Sequence, residues 1–507
     1  MSHSLLSIII FLPLVFGLMV SLVNDEKMVK VLSLIFAIVE FLFTLLLFQN
    51  FSPEKTGLQL VEWTTWIPAY GINYFLGIDG ISLWLVVLTN FLMPITILGS
   101  WNSIETRVKA FHINMFVLQT AMLGTFLAMD SILFYVFWEL SLVPMYFIIG
   151  IWGGQRRIYA TVKFFVYTMV GSVLMLAGII YLMMLTQANL GQMSASFLDF
   201  YRLEIPFIGG RLLNPQTLLF FAFAMAFCFK VPLFPFHTWL PDAHVEAPTP
   251  GSVILAAVML KMGTYGILRL AIPLFPDAAT YWSWLFAILA LGGIVYGALV
   301  AMVQTDIKKL VAYSSVSHMG YVILGLFAFN IYGVTGGYYQ MLNHGISTGA
   351  LFLLVGMIYE RTHSREISKY GGLASALPLF TIGFFIVTLT SIAVPFTNGF
   401  IGEFLILMGA FSSNYVYGAV ASLGVILGAA YMLWMFKKVF WGEKGELVGD
   451  AHHPLKDLSA REFVVLTPMI VVAFWMGLFP GHFLNWSKAS LEHYQSNYRN
   501  YELSVEK

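Results

Sequence analysis

Apolar runs of about twenty residues recur from one end of this 507-residue chain to the other. A hydrocarbon core ~30 Å thick takes about that many helical residues to cross. In lipid the backbone must satisfy its own hydrogen bonds, so a chain written this way folds as a bundle of membrane-spanning helices, an all-α polytopic membrane protein. Fourteen spans are expected, beginning near Ser4, Met28, Ile81, Phe111, Ser131, Thr161, Thr217, Pro250, Trp282, Lys309, Gly333, Leu377, Tyr415 and Phe463. The first run, Leu5 to Val23, has no basic segment ahead of it and approaches spanning length, so it reads as a retained helix rather than a cleaved signal. Composition agrees, since 59% of residues are hydrophobic and 10% charged, where soluble domains carry roughly 25% charge.

Lys and Arg in the loops give an independent check, because short cytoplasmic loops hold an excess of both. Loops after odd-numbered spans hold Lys27, Lys30, Arg107, Lys109, Arg156, Arg157, Lys308, Lys309, Arg361, Arg365, Lys369, Lys437, Lys438, Lys444, Lys456 and Arg461. Loops between even-numbered and following spans hold only Lys55, Arg202 and Arg211. Both termini are therefore expected on the non-cytoplasmic side of the membrane.

Several functions are excluded. With 26 basic residues against 26 acidic ones, no excess charge is available to grip a nucleic-acid backbone. The lone cysteine, Cys228, permits neither a disulfide nor a four-thiolate iron–sulfur or zinc site. No GxGxxG follows a strand pattern, so a dinucleotide fold is not expected either. Any redox centre that serves this chain must lie in another one.

Two spans are interrupted. The seventh meets Pro232 and Pro235 just after Lys230, and the twelfth meets Pro395 and the Asn398-Gly399 pair just before Glu403. Proline removes a ladder hydrogen bond and clashes with the preceding turn. Irregular backbone at membrane depth survives only inside protein or beside water, and paired breaks mark the ion sites of transporters built from inverted repeats.

Placed by depth, Glu139, Lys230, Lys261, His318, His344 and Glu403 all fall near the midplane. An ionisable group there costs at least ~2.5 to 3.5 kcal/mol to insert, which makes each a functional candidate. Groups that alternate between protonated and deprotonated states at one depth suit a lateral proton relay, with Glu139 and Lys230 as a switching pair. His237, Asp242 and His244 flank the Pro241-Asp242 turn and are accessory candidates; their spacing matches no strong metal motif. Asp79, Asp130 and Asp306 each precede an apolar helix and read as caps. Trp63 to Trp66 reads as an interfacial segment.

The segments GIDGISLWLVVLT from Gly77, FWELSLVPMYFIIGIWGG from Phe137, FKVPLFPFHTWLPDAHVEAPTPGSVILA from Phe229, QTDIKKLVAYSSVSHMGY from Gln304 and NGFIGEF from Asn398 carry a family resemblance. The chain resembles the subunit M family, subunit 4 in mitochondria, of the antiporter-like membrane subunits of proton-pumping NADH:quinone oxidoreductase, respiratory complex I. The resemblance implies fourteen helices, with two inverted five-helix repeats and broken helices seven and twelve. Residues 1–110 would form helices one to three, 111–272 the first repeat, 282–440 the second, and 441–507 the last loop, helix fourteen and a short tail. It implies Glu139 paired with Lys230, Lys261 as a bridging lysine, His318 and His344 as links between half-channels, and Glu403 as the terminal acid. It also implies that the chain itself holds no cofactor or metal, with NADH, FMN, iron–sulfur clusters and quinone bound by other subunits. The expected partners are the antiporter-like subunits L and N, small membrane subunits, the lipid bilayer and protons. Glutamate at 403 favours M over L and N, and the roughly 27 residues after the last span near Pro480 leave no room for the long extension of L. The competing resemblance is to the D subunit of multisubunit sodium/proton antiporters.

Overall fold

A computed structural model describes residues 4–209, 211, 213–448 and 455–506. Helices α1 (Leu5–Ser21) and α2 (Glu26–Thr44) lead into a hairpin of β1 (Gln59–Ile67) and β2 (Ile72–Ile78). Then come α3 (Leu83–Gly99), α4 (Val108–Leu127), α5 (Ser131–Trp152), α6 (Arg157–Leu190), α7 (Pro215–Lys230), α8 (Trp239–Glu246) and α9 (Thr249–Leu274). The second half holds α10 (Ser283–Met302), α11 (Ile307–Leu326), α12 (Ile331–Thr362), α13 (Pro378–Ser391), α14 (Asn398–Ser413), α15 (Tyr415–Phe440), α16 (Ala460–Leu478) and α17 (Gly481–Asn497). Among the described residues nine helices are long and apolar enough to cross a membrane, and α1, α3, α7 and α13 are shorter apolar helices. α11 is less apolar because Ser314, Ser315, Ser317 and His318 interrupt it, yet all four are buried.

Helix starts follow local capping. Asp25, Asp130, Asn214, Asp306, Asn330, Asn414 and Ser459 each accept from a backbone N–H of the helix that follows, and Ser459 forms a reciprocal box with Glu462. Such a cap satisfies one of the orphan donors that water cannot reach at a helix end. α5 turns at Ser141, three residues before Pro144, which has no N–H to offer the Leu140 carbonyl. α9 contains two wider turns, Leu255–Met259 and Ile267–Ala271, where bonds run from residue i to i−5. Pro273 leaves the Arg269 carbonyl without its usual i+4 donor, and Tyr201 Oη donates to that oxygen at 2.8 Å.

α9 and α12 bury all of their apolar length inside the protein, whereas only 28% of that of α2 is covered. The chain is thus layered, with α4, α9, α11 and α12 inside and α2, α6, α15 and α16 on the outside of the bundle. The interruptions fall where the prolines predict. α7 ends at Lys230 and the chain resumes as helix at Trp239; α13 ends at Ser391 and α14 opens at Asn398. In the second gap Ala393 and Phe396 adopt left-handed backbone, φ 56° and 75°, a conformation costing roughly 1–2 kcal/mol for residues with a Cβ.

The Trp63 to Trp66 segment is an edge of the β-hairpin, a local exception to an all-helical reading. Its alternating aromatic and β-branched residues suit a pleated surface, and Trp63 stacks on its cross-strand partner Phe75 with centroids 5.4 Å apart. The residues after α16 are also more structured than a tail: α17 docks back where Ser490 Oγ accepts from Gly80 N–H and Ser487 Oγ donates to Tyr338 Oη.

Candidate functional site

Four of the six midplane candidates form two hydrogen-bonded pairs whose histidine rings face one another. Lys261, fully buried in α9, shares a 2.6 Å hydrogen bond with His344 Nδ1 of α12 and donates to the Ala256 carbonyl at 2.6 Å. Ala256 lies in the first widened turn, so the local loosening of α9 supplies the lysine with an acceptor from its own helix. The His344 and His318 rings stand 5.9 Å apart, centre to centre. His318 Nδ1 on α11 is 2.9 Å from Glu403 Oε1 on α14. The order across the protein is therefore Lys261, His344, His318, Glu403.

Glu403 is held in a polar frame that the sequence reading missed. Gln340 Nε2 donates to its Oε1 at 3.2 Å, Asn343 Nδ2 donates to Gln340 Oε1 at 3.1 Å, and Asn398 Nδ2 donates to the Asn343 carbonyl at 3.1 Å. The break before α14 allows this, because it places Asn398 at the start of the helix and Glu403 one turn further on. Gly402 lets α14 approach α12 so closely that a Cβ there would overlap Gln340 Oε1 and Asn343 Nδ2.

Lys230 ends α7, 1% exposed, and donates to Ser141 Oγ at 3.0 Å, with its ammonium 4.9 Å from the centre of the Trp138 ring. Its closest oxygen partner is thus the hydroxyl at the turn of α5 and not the carboxylate of Glu139. Glu139 is near enough to act on the lysine through space, but no ion pair within 4.0 Å joins them among the described residues. Glu139 Oε1 is buried and has no hydrogen-bond partner. No side-chain bond among the described residues connects Lys230 to Lys261, although Gly263 of α9 packs directly on Val231.

The accessory candidates separate. Asp242 forms a 2.7 Å ion pair with Lys163, His237 packs against Phe234 and Tyr296, and His244 stacks on Phe352 with centroids 4.5 Å apart. They do not converge as a metal-ligand set. His244 is fully buried with both ring nitrogens unpartnered, and it lies within electrostatic reach of Lys261 and Lys308.

A second buried ion pair was legible only in part. Asp79 accepts from Ile81 and Ser82 N–H in the turn ahead of α3 rather than from the helix itself, and both its oxygens lie 2.6 Å from Arg269 Nη2, each side chain being 1% exposed. Arg269 shares the apolar eighth span with Lys261, so the insertion-cost rule that singles out Lys261 applies to it too.

Fold and site together define a polytopic, antiporter-like membrane subunit with a buried lateral row of lysine, histidine and glutamate. Residues 128–428 match the family described as NADH:quinone oxidoreductase/Mrp antiporter, TM, and residues 6–130 match NADH-ubiquinone oxidoreductase chain 4, amino terminus. The chain is 46% identical to NADH-quinone oxidoreductase subunit M of Rhodobacter capsulatus, over 98% of this chain and 97% of that one. It is 41% identical to NADH-ubiquinone oxidoreductase chain 4 of Marchantia polymorpha, over 95% of both. It superposes on a chain of respiratory complex I from Thermus thermophilus with bound NADH with a TM-score of 0.87, at 32% identity, covering 97% of this chain and 99% of that one. The chain belongs to the subunit M, or chain 4, family of NADH-quinone oxidoreductase.

Proposed function

We propose that this chain is a proton-translocating membrane-arm subunit of NADH:quinone oxidoreductase and that protons cross it through the row from Glu139 and Lys230 to Lys261, His344, His318 and Glu403. NADH-to-quinone electron transfer in other subunits, which hold the FMN, iron–sulfur clusters and quinone, drives the transfer. The observation that carries this reading is the continuous contact between four ionisable side chains at 0 to 7% exposure. A structural role alone would leave their insertion cost unexplained.

The chemistry follows from the contacts. When Lys261 is an ammonium it donates to His344 Nδ1; when His344 carries that proton the lysine is a free amine. One hydrogen bond thus holds both ends of a proton transfer. The His318–Glu403 bond has the same property, with imidazole and carboxyl exchanging one proton. At the other end, Ser141 holds Lys230 beside but not against Glu139. A shift of the α5 turn that brought the two together would favour charge on both, and withdrawal would favour release of the lysine's proton.

Counting α7 with α8, and α13 with α14, as single interrupted spans, and leaving aside the polar α17, gives fourteen. The two interrupted pairs, one ending on Lys230 and the other preceding Glu403, support inverted repeats over 111–272 and 282–440. The basic loops support termini on the non-cytoplasmic face of the bacterial inner membrane. The partners in this reading are the antiporter-like subunits L and N and small membrane subunits. The D-type sodium/proton antiporter subunit is the alternative, since the match over 128–428 is to a family whose description covers both; the separate chain 4 match over 6–130 favours the oxidoreductase. Tagging the chain, purifying it in mild detergent and assaying NADH:quinone reductase activity with iron–sulfur signals in the same fraction tests the choice. Co-purification supports the proposal, and membrane partners without redox activity transfer the row to cation exchange.

A further inference from the structure

Away from the central row, the N-terminal helices enclose a second ionisable group. Glu40 of α2 is fully buried, 14 residues into its helix, which is about 21 Å at ~1.5 Å per residue. Asn90 Nδ2 of α3 donates to Glu40 Oε1 at 3.3 Å and to Thr44 Oγ1 at 2.6 Å, while Gln119 Nε2 of α4 donates to Asn90 Oδ1 at 2.7 Å. These bonds fix both amides, so the only side-chain donor on the carboxyl is directed at Oε1. Glu40 Oε2 and Gln119 Oε1 are buried and unpartnered.

The ionisable neighbours can be named element by element. α1 and α3, which pack on α2, carry no ionisable side chain, and α4 carries only Lys109 and His112. α2 itself adds Glu26, Lys27 and Lys30 near its start. Lys30 is committed to the Trp101 carbonyl, Lys109 to Ser21 O and Asn24 Oδ1, and His112 Nδ1 to Val108 O. Among the described residues Glu40 forms no ion pair within 4.0 Å. A carboxylate here would be a buried charge with one neutral donor and no cation, which low-dielectric surroundings disfavour. A carboxylic acid removes that charge and turns Oε2 into a donor beside an amide cluster with an unused acceptor.

We propose that Glu40 is a second proton-binding site, a carboxylic acid that keeps its proton at neutral pH and is walled by α2, α3 and α4. It is separate from the lateral row, with α4 packed against both α2 and the helix that bears Glu139. The site takes a proton rather than a metal cation, because its single carboxyl and two neutral amides offer no second negative charge. Glu40→Gln keeps the shape of the neutral acid, so the variant is expected to assemble.

The test is infrared difference spectroscopy of the purified complex, wild type against Glu40→Gln, at pH ~7, far above the ~4.3 of an ordinary glutamate. The expected result is loss of one protonated-carboxyl C=O band in the variant, a band that shifts in the wild type on exchange into D2O. Loss of carboxylate bands instead overturns the proposal, as do carboxylate bands that move when sodium is added. Should the variant not assemble, Asn90→Ala is read in its place. The C=O band then shifts because its hydrogen bond is gone, and an unmoved C=O region overturns the proposal.

Discussion

Breaking the Asp79–Arg269 pair tests how the hairpin end of the bundle is tied to α9. Arg269 Nη2 stands 2.6 Å from both Asp79 oxygens, both side chains are 1% exposed, and the guanidinium also lies 5.5 Å from the Tyr265 ring centre. At an effective dielectric of ~20 the attraction at that distance is about 6 kcal/mol, offset by a desolvation penalty of several kcal/mol per ion. The pair as a whole therefore contributes little net stability, but removing one partner strands the other and costs about 3–5 kcal/mol. At ~1.36 kcal/mol per tenfold that is a loss of about a hundredfold to a few thousandfold in the folded-to-unfolded ratio. Asp79→Asn keeps the acceptor for the Ile81 and Ser82 N–H groups ahead of α3 and so isolates the charge. Asp79→Asn and Arg269→Gln should each sharply lower the amount of chain recovered in the assembled complex and its thermal midpoint, and the double variant should recover much of both. Single and double variants that lose equal amounts, or singles that lose nothing, would refute the reasoning.

Asp130, at the cap between α4 and α5, is pushed up to about 6 by burial, against the pull of backbone N–H groups from Asn73, Leu133 and Ile132. The folded state then binds a proton that the unfolded chain, at 3.8, has released, so this contribution is full below 3.8 and is lost as pH rises through about 6. Asp130→Asn keeps a capping oxygen without titrating; its thermal midpoint should lose that downward slope between pH 4 and 6, and an unchanged slope would assign it elsewhere. Gly402→Ala should push Gln340 off Glu403 and Asn343 off Gln340, and cut proton pumping at least several-fold while NADH oxidation by the uncoupled complex changes less; equal loss of both would point to assembly.

Much of this was readable in the sequence because insertion cost is a local property. Lys230, Lys261, His318, His344 and Glu403 stand out as ionisable groups in apolar runs, and Pro232, Pro235 and Pro395 mark the two breaks without any tertiary information. What escaped depends on contact between distant segments. Asp79 is a cap by sequence and becomes an ion-pair partner only when α9 brings Arg269 to it. Gln340 and Asn343 are ordinary amides until Gly402 lets α14 close on α12. Ser141 replaced Glu139 as the direct partner of Lys230 because Pro144 turns α5 there. The hairpin's strand pairing escaped because it depends on Trp63 meeting Phe75 across the turn, a contact that the two tryptophans alone do not reveal.

The lateral relay is tested most directly by counting protons pumped per NADH oxidised, with the complex reconstituted in sealed vesicles and wild type compared with Lys230→Ala and Lys261→Ala. Both variants should assemble yet pump fewer protons per electron pair. Wild-type ratios in assembled complexes carrying either alanine would contradict the relay.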